Sequence, residues 1–359
     1  MNDKGGPVLI LAGGTGGHIF PGIAVARILQ ARGVAVSWLG STQGLEGTLV
    51  PPTGIPLDQV EVSGVRGKGL FALLAMPWRM LRAVLAARRV VRRVRPRSAL
   101  ALGGYASAPG GIAAWIAGVP LVVHEQNSVP GATTRLLRPL SRRVLTGFPG
   151  ALGRRSEHVG NPVRPEIAAI AIPAQRLSGR GATLRLLVLG GSQGARTLNR
   201  AVPAALALAG PEEIIVRHQS GPAGLAATRA DYAARAIPAE VEAFIGDMAA
   251  AYEWADLVIC RAGALTLAEL CAAGVAAVLV PYPQAVDDHQ TRNAELMVAR
   301  GAALRLAESD HLDAQLAGIL GTLRGARPRL LAMSQGARAL DRADAGQRIA
   351  DACLAGPRP

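Results

Sequence analysis

One opening occurs twice in this chain of 359 residues: a short apolar run, a glycine-rich turn, then a helical stretch. Val8-Leu9-Ile10-Leu11-Ala12 leads into Gly13-Gly14-Thr15-Gly16-Gly17, and Leu186-Leu187-Val188-Leu189 leads into Gly190-Gly191-Ser192-Gln193-Gly194. A strand that is apolar on both faces must be covered on both faces, as in a parallel sheet between two helix layers. Behind each opening, further β-rich runs alternate with helical stretches. The first series takes in residues 8–12, 34–39, 99–102, 119–123 and 144–146; the second takes in 184–189, 214–217, 241–245, 257–260 and 275–280. The expected fold class is α/β, with two Rossmann-like parallel-sheet domains. Their expected bounds are 1–163 and 164–340, joined near Gly160-Asn161-Pro162-Val163-Arg164-Pro165, where two prolines suit a linker. A C-terminal helix, residues 341–359, is expected to pack back on the first domain.

Charge is unevenly placed. The chain carries a formal +14, yet residues 62–156 alone hold sixteen Arg or Lys against one acid, Glu125. One face of the first domain therefore seeks an anion: phosphate, nucleic acid or a lipid surface. Aromatic residues make up only 3% of the chain, which argues against the stacking platform of a single-strand nucleic-acid binder. Residues 98–123 are uncharged and long enough to span a bilayer. Pro109, Pro120 and the pairs Gly103-Gly104 and Gly110-Gly111 interrupt them, so they read as strand, glycine loop, buried helix and second strand. Three scattered cysteines, Cys260, Cys271 and Cys353, fit neither a disulfide framework nor a zinc site and suit a reducing compartment. Met1-Asn2-Asp3-Lys4-Gly5 lacks the pattern of a secretory signal.

Glycines between strand and helix let a phosphate approach the backbone and the free helix amides. A nicotinamide dinucleotide is a poor fit. Gly14-Thr15-Gly16-Gly17-His18-Ile19 lacks the third glycine of that fingerprint, and Trp38-Leu39-Gly40-Ser41 supplies no acid for a ribose. The second loop fails likewise, its next strand ending Val216-Arg217-His218. A better nucleotide site follows residues 257–260, in Arg261-Ala262-Gly263-Ala264-Leu265-Thr266-Leu267-Ala268-Glu269. Gly263 permits a sharp turn, the helix behind it offers free amides to a diphosphate, and Glu269 can accept from two ribose hydroxyls. The plainer alternative for Glu269 is an ordinary solvated helix residue. Asp287-Asp288-His289-Gln290-Thr291-Arg292-Asn293 gathers polar groups beyond a strand's C-terminal end, where α/β folds bind ligands.

Taken in order, a set of motifs resembles the GT-B glycosyltransferases that make lipid II in peptidoglycan synthesis, and the resemblance covers nearly the whole chain. The motifs are Gly13-Gly14-Thr15-Gly16-Gly17-His18, Gly103-Gly104-Tyr105-Ala106-Ser107, His124-Glu125-Gln126-Asn127 and Gly160-Asn161-Pro162-Val163-Arg164. Gly190-Gly191-Ser192-Gln193-Gly194-Ala195, the Arg261 to Glu269 run and Asp288-His289-Gln290-Thr291 complete them. Thr134 stands where the family has Asn. The resemblance implies two domains facing across a cleft and transfer of GlcNAc from UDP-GlcNAc to lipid I, with inversion to a β-1,4 linkage. Another GT-B enzyme, such as a UDP-sugar epimerase, is the alternative, but it has no need of a basic, apolar patch.

By the same resemblance, Thr15, Gly16, Gly17 and Asn127 face the sugar donor, and Arg164 and Ser192 reach its diphosphate. Ile245 meets the uracil through its backbone; Ala264, Leu265, Thr266, Leu267, Ala268 and Glu269 carry phosphate and ribose contacts; Gln290 touches the GlcNAc. Gly14, Gly104 and Tyr105 serve the acceptor. His18 is the favoured general base and Glu125 its rival, with phosphate binding as the other reading of His18. No metal and no cofactor is implied. The expected partners are UDP-GlcNAc, lipid I, an anionic membrane surface and other cell-wall synthesis and division proteins, with no nucleic acid. The location implied is peripheral, on the cytoplasmic face of the plasma (inner) membrane. Residues 71–82 mix apolar groups with Arg79 and Arg82 ahead of a basic helix through Arg88, Arg89, Arg92, Arg93 and Arg95, a pattern that suits docking on anionic lipid.

Overall fold

A computed structural model describes residues 5–62, 76–191 and 195–355, apart from the side chains of Arg154 and Val286. Ser192 and its neighbours Gln193 and Gly194 lie outside the described residues, as do 71–75 of the apolar basic stretch. The chain divides into two compact units, one holding the residues up to Pro162 and those from Arg342 onward, the other Val163–Asp341.

The first unit runs β1 (Val8–Ala12), α1 (Gly16–Ala31), β2 (Val36–Ser41), α2 (Glu46–Leu49), β3 (Leu57–Val60), α3 (Met76–Val94) and β4 (Ser98–Gly103). It continues with α4 (Ser107–Ile116), β5 (Leu121–Glu125), α5 (Ala132–Leu137), β6 (Arg143–Thr146) and β7 (Glu157–His158). The strands form one parallel sheet in the order β3-β2-β1-β4-β5-β6-β7. Alternation along β1 sends Val8, Ile10 and Ala12 to the core beneath α1, and Leu9 and Leu11 to the core beneath α3 and α4. The uncharged run 98–123 is β4, a glycine turn, α4 and the start of β5. Its glycines let α4 lie close: a Cβ on Gly110 would meet Leu11 and Leu39 at 2.9 and 3.0 Å, and one on Gly111 would meet Leu137 at 2.7 Å. Among the described residues no helix is long and apolar enough to cross a membrane.

The second unit runs α6 (Pro165–Ala168), α7 (Pro173–Arg176), β8 (Leu184–Leu189), α8 (Arg196–Ala209), β9 (Ile214–Gln219), α9 (Leu225–Ala234), β10 (Ala239–Glu242) and α10 (Met248–Trp254). Then come β11 (Leu257–Cys260), α11 (Ala264–Ala273), β12 (Ala276–Leu279), α12 (His289–Val298), β13 (Ala303–Arg305), α13 (Leu312–Leu323) and α14 (Arg327–Arg338). Its parallel sheet has the order β10-β9-β8-β11-β12-β13. One face is filled by Leu184, Leu186 and Val188 against Leu198, Val202 and Leu206 of α8 and Leu312, Leu316 and Leu320 of α13. The last helix, α15 (Ala345–Leu354), joins the first unit, placing Ile349, Ala350 and Cys353 in the core beside α1.

The central strands fall where the apolar runs predict, with ends moved by up to two residues, except for the run 241–245. That strand is Ala239–Glu242, and Phe244 and Ile245 lie past its end. Pairing to β9 stops at Glu242 opposite Gln219, and Asp247 then caps α10 by accepting from Ala250 N–H at 2.9 Å. Three edge strands, β3, β7 and β13, were not expected. Each is short, β7 is polar throughout and half of β3 is polar.

Candidate active site

In each sheet the strand order changes direction between two central strands, β1/β4 in the first unit and β8/β11 in the second. Helices leaving such a pair pass to opposite faces, and the loops at the strands' C-terminal ends part to leave a crevice. The glycine turns follow these strands: Gly13-Gly14 after β1, Gly103-Gly104 at the end of β4, Gly190-Gly191 after β8 and Gly263 after β11.

In the first unit the turns after β1 and β4 touch. A Cβ on Gly104 would sit 2.0 Å from the Gly13 carbonyl, and Gly104 has φ +82, so only glycine fits there. Trp38 fixes the end of β1 by donating its indole N–H to the Ala12 carbonyl at 2.8 Å. Thr15 precedes α1 without a side-chain capping bond, so its helix begins with uncapped amides beside the turn. His18, in the first turn of α1, lies over Gly103, whose missing Cβ would be 2.7 Å from Nε2. Its Nδ1 is buried without a hydrogen-bond partner. Burial pulls the imidazole pKa down from 6.5, while the nearby Glu125 and Glu46 carboxylates and the Gly13 backbone pull it up. Tyr105 is more than half exposed at the rim.

The turn has a support that sequence reasoning missed. Glu46 is fully buried at the start of α2. Its Oε2 accepts from Gly14 N–H at 2.9 Å, and its Oε1 accepts from the Ser41 amide and hydroxyl at 2.5 and 2.6 Å. Three glycines make room for it: a Cβ on Gly13, Gly40 or Gly44 would collide with its side chain. The Gly14 amide is thus turned to Glu46. Glu125, the rival base, is also committed: Oε1 accepts from Asn127 N–H and Nδ2, and Oε2 from Gly131 N–H at 3.0 Å. Buried at 3% exposure, it shapes the loop that carries Asn127. His124 is fully buried, its Nε2 paired with the Gly160 carbonyl at 2.9 Å and its Nδ1 with Gln126 Nε2, and burial lowers its pKa to about 4.

In the second unit Gly263 precedes α11 without a side-chain cap. Ala264 and Leu267 are buried, whereas Leu265, Thr266, Ala268 and Glu269 are half-buried. Glu269 is no solvated helix residue. Its Oε1 accepts from Arg164 Nε and Nη2 at 3.2 and 2.8 Å, and its Oε2 accepts from the Tyr252 hydroxyl at 3.1 Å. Burial pushes this carboxyl upward in pKa, and Arg164 and Tyr252 pull it down. Arg164 therefore rests on the same carboxylate that the resemblance assigns to the ribose. Gln290 joins two neighbouring loops, its Oε1 accepting from Ala262 and Tyr282 amides at 3.2 and 2.9 Å. Arg261 points into the protein, pairing with Glu308 at 2.5 Å and donating to the Val280 and Pro281 carbonyls. Ile245 is buried in the loop between β10 and α10.

The structure thus places Gly14, Thr15, Gly16, Gly17, His18, Gly104 and Tyr105 at the adjoining turns after β1 and β4, with Glu125 at the end of β5 and Asn127 just past it. It gathers Arg164, residues 264–269 and Gln290 in the second unit. Glu46 and Tyr252 were not picked out, because a lone Glu and a lone Tyr carry no motif. Among the described residues no group of three His, Cys, Asp or Glu stands ready to hold a metal ion.

Residues 8–146 match the glycosyltransferase family 28 N-terminal domain, and residues 185–349 match the family's C-terminal domain. The chain is 58% identical over 348 residues to the UDP-N-acetylglucosamine–N-acetylmuramyl-(pentapeptide) pyrophosphoryl-undecaprenol N-acetylglucosamine transferase of Xanthomonas campestris pv. campestris, covering 97% of this chain and 81% of that one. The protein of the same description from Xylella fastidiosa is 55% identical, over 97% of this chain and 96% of its own. Among solved structures, MurG of Acinetobacter baumannii superposes with a TM-score of 0.84 at 37% identity, covering 97% of this chain and 99% of that one. The calicheamicin glycosyltransferase CalG4, at 18% identity and a TM-score of 0.64, shares the fold.

Proposed function

The chain belongs to glycosyltransferase family 28, and from that membership we infer that it transfers GlcNAc from UDP-GlcNAc to lipid I, undecaprenyl-diphospho-MurNAc-pentapeptide, to give lipid II. The observation that carries this is the 58% identity with such a transferase through 97% of the chain. The donor sugar is α-linked and the product β-1,4-linked, so one direct displacement suffices. The MurNAc 4-hydroxyl oxygen bonds to the GlcNAc anomeric carbon, the bond to the UDP oxygen breaks, and the hydroxyl proton passes to a base.

We assign the base to His18. Burial lowers its pKa and so favours the neutral imidazole that a base must be, and it stands in the first turn of α1, beside the glycine turns proposed for the acceptor. Glu125 is the weaker choice, since backbone and side-chain amides of its own loop occupy its oxygens. The donor nucleotide fits the second unit: the diphosphate at the uncapped start of α11, the ribose at Glu269, the sugar at Gln290. Charge growing on the departing UDP is met there by helix amides and by Arg164, once it leaves Glu269. The glycine turns of the first unit, with Tyr105, take the acceptor's diphosphate and MurNAc.

The acceptor hangs from a polyprenyl tail, and α3 supplies a face for the surface that holds it. Ala83, Val84, Ala87 and Val91 pack inward, while Trp78, Leu81 and Leu85 are exposed beside Arg82 and Arg89. Apolar groups among arginines suit shallow docking on anionic lipid. We infer that the enzyme works peripherally, at the cytoplasmic face of the plasma membrane. Incubation with UDP-GlcNAc and a short-chain lipid I analogue is expected to release UDP in step with disaccharide. UDP release without disaccharide, or formation of a free epimer, would contradict the assignment.

A further inference from the structure

The environment of Glu269 contains more than a binding residue. A carboxylate accepts about four hydrogen bonds. Three are already made here, two from Arg164 and one from Tyr252. A ribose diol needs two acceptors, so it cannot engage both hydroxyls unless a protein bond gives way. The two partners are not equally able to do so. The Arg164 side chain is 35% exposed and sits at the N-terminal edge of α6. Tyr252 is 1% exposed in the middle of α10, packed where its hydroxyl has Glu269 as partner. Burial holds its phenol protonated, pushing its pKa well above the ordinary tyrosine range, so it remains a donor.

We propose that Tyr252 is the fixed positioning residue of Glu269 and Arg164 its exchangeable partner, so that a buried tyrosine hydroxyl sets the preference for a ribonucleotide over a deoxyribonucleotide donor. The proposal rests on the reading of Glu269 as the ribose-binding carboxylate. When the nucleotide enters, Arg164 yields one or both of its bonds to the ribose hydroxyls and is free to follow the diphosphate. Tyr252 then remains as the protein donor on Oε2. It fixes which edge of the carboxylate faces the ligand and helps keep a half-buried carboxylate charged. Without that hydroxyl, Oε2 is left unpaired, and the side chain can turn or take up a proton in place of a ribose bond.

Calorimetric titration with UDP and with 2′-deoxy-UDP tests this on the wild type, Tyr252→Phe, Arg164→Ala and Glu269→Gln. One hydrogen bond to a charged group corresponds to a preference for UDP of about tenfold or more in the wild type. Tyr252→Phe is expected to bring that ratio close to unity, mainly by weakening UDP. Arg164→Ala is expected to weaken both ligands and keep the ratio. A tyrosine that only fills space would lower the melting temperature of Tyr252→Phe and leave the ratio alone, which would overturn the proposal. Collapse of the ratio in Arg164→Ala would overturn it too, and that variant serves if Tyr252→Phe fails to fold. Loss of the ratio in Glu269→Gln but not in Tyr252→Phe would keep the ribose reading and reject the role of Tyr252. Equal affinities in the wild type would remove the ribose reading and the proposal together.

Discussion

His18 and Glu46 belong to the same glycine turn, Glu46 holding its backbone and His18 the residue proposed as base. His18→Ala is expected to lower kcat by about 10²–10⁴, the usual contribution of a general base, with UDP affinity retained by calorimetry. Because burial lowers the imidazole pKa from 6.5, the acid limb of the wild-type rate profile should lie below pH 6.5. A limb above it, or an unchanged kcat in His18→Ala, would reject the assignment. Glu46→Ala would leave the Gly14 and Ser41 amides without their buried acceptor, at about 1–3 kcal/mol for each group. The turn it pins is the one proposed for the acceptor, so KM for lipid I should rise while KM for UDP-GlcNAc holds. An equal rise in both would mean that Glu46 supports the fold without serving the acceptor.

Among the elements, the central strands were legible because they are apolar on both faces: β1 and β8 run straight into glycine, β11 reaches Gly263 three residues on, and none needed partner information to be recognised. Edge strands were not legible. Glu157-His158 and Leu57-Asp58-Gln59-Val60 pair on one side only and carry polar residues, so their strand character comes from the neighbour they meet. The candidate site divides in the same way. Glycine turns and helix starts announced the two crevices, since positive φ and free amides leave a mark in sequence. Glu46 meets Gly14 across 32 residues and Tyr252 meets Glu269 across 17, contacts that exist only once the helices are placed. Helix α3 makes an element-scale prediction. Reversing Arg79, Arg82 and Arg89 to Glu should reduce sedimentation with anionic liposomes and leave transfer to a water-soluble acceptor analogue intact. Unchanged sedimentation would move the docking surface elsewhere.

Across the whole molecule, each unit holds a histidine at 0–1% exposure, His124 in the first and His218 in the second. His218 lies between the Tyr232 hydroxyl and Asn199 Oδ1 at 2.9 and 3.1 Å, and burial lowers its pKa to about 4, as it does for His124. The unfolded chain takes up these protons near pH 6.5 and the folded one does so only near 4. Stability is therefore full above pH 6.5 and falls as the pH drops toward 4, by on the order of 3 kcal/mol for each group. Both units should lose melting temperature over that interval, and NMR should show both imidazoles still neutral at pH 5; titration of either near pH 6.5 would contradict this.

If the donor nucleotide binds the second unit beyond β8 and β11, as proposed, a crystal of the protein soaked with UDP-GlcNAc will show it there. Uridine density is expected beside residues 263–269, with Glu269 on the ribose and the Arg164–Glu269 pair opened. Uridine bound in the first unit, or in the second unit away from α11, would contradict the proposed site.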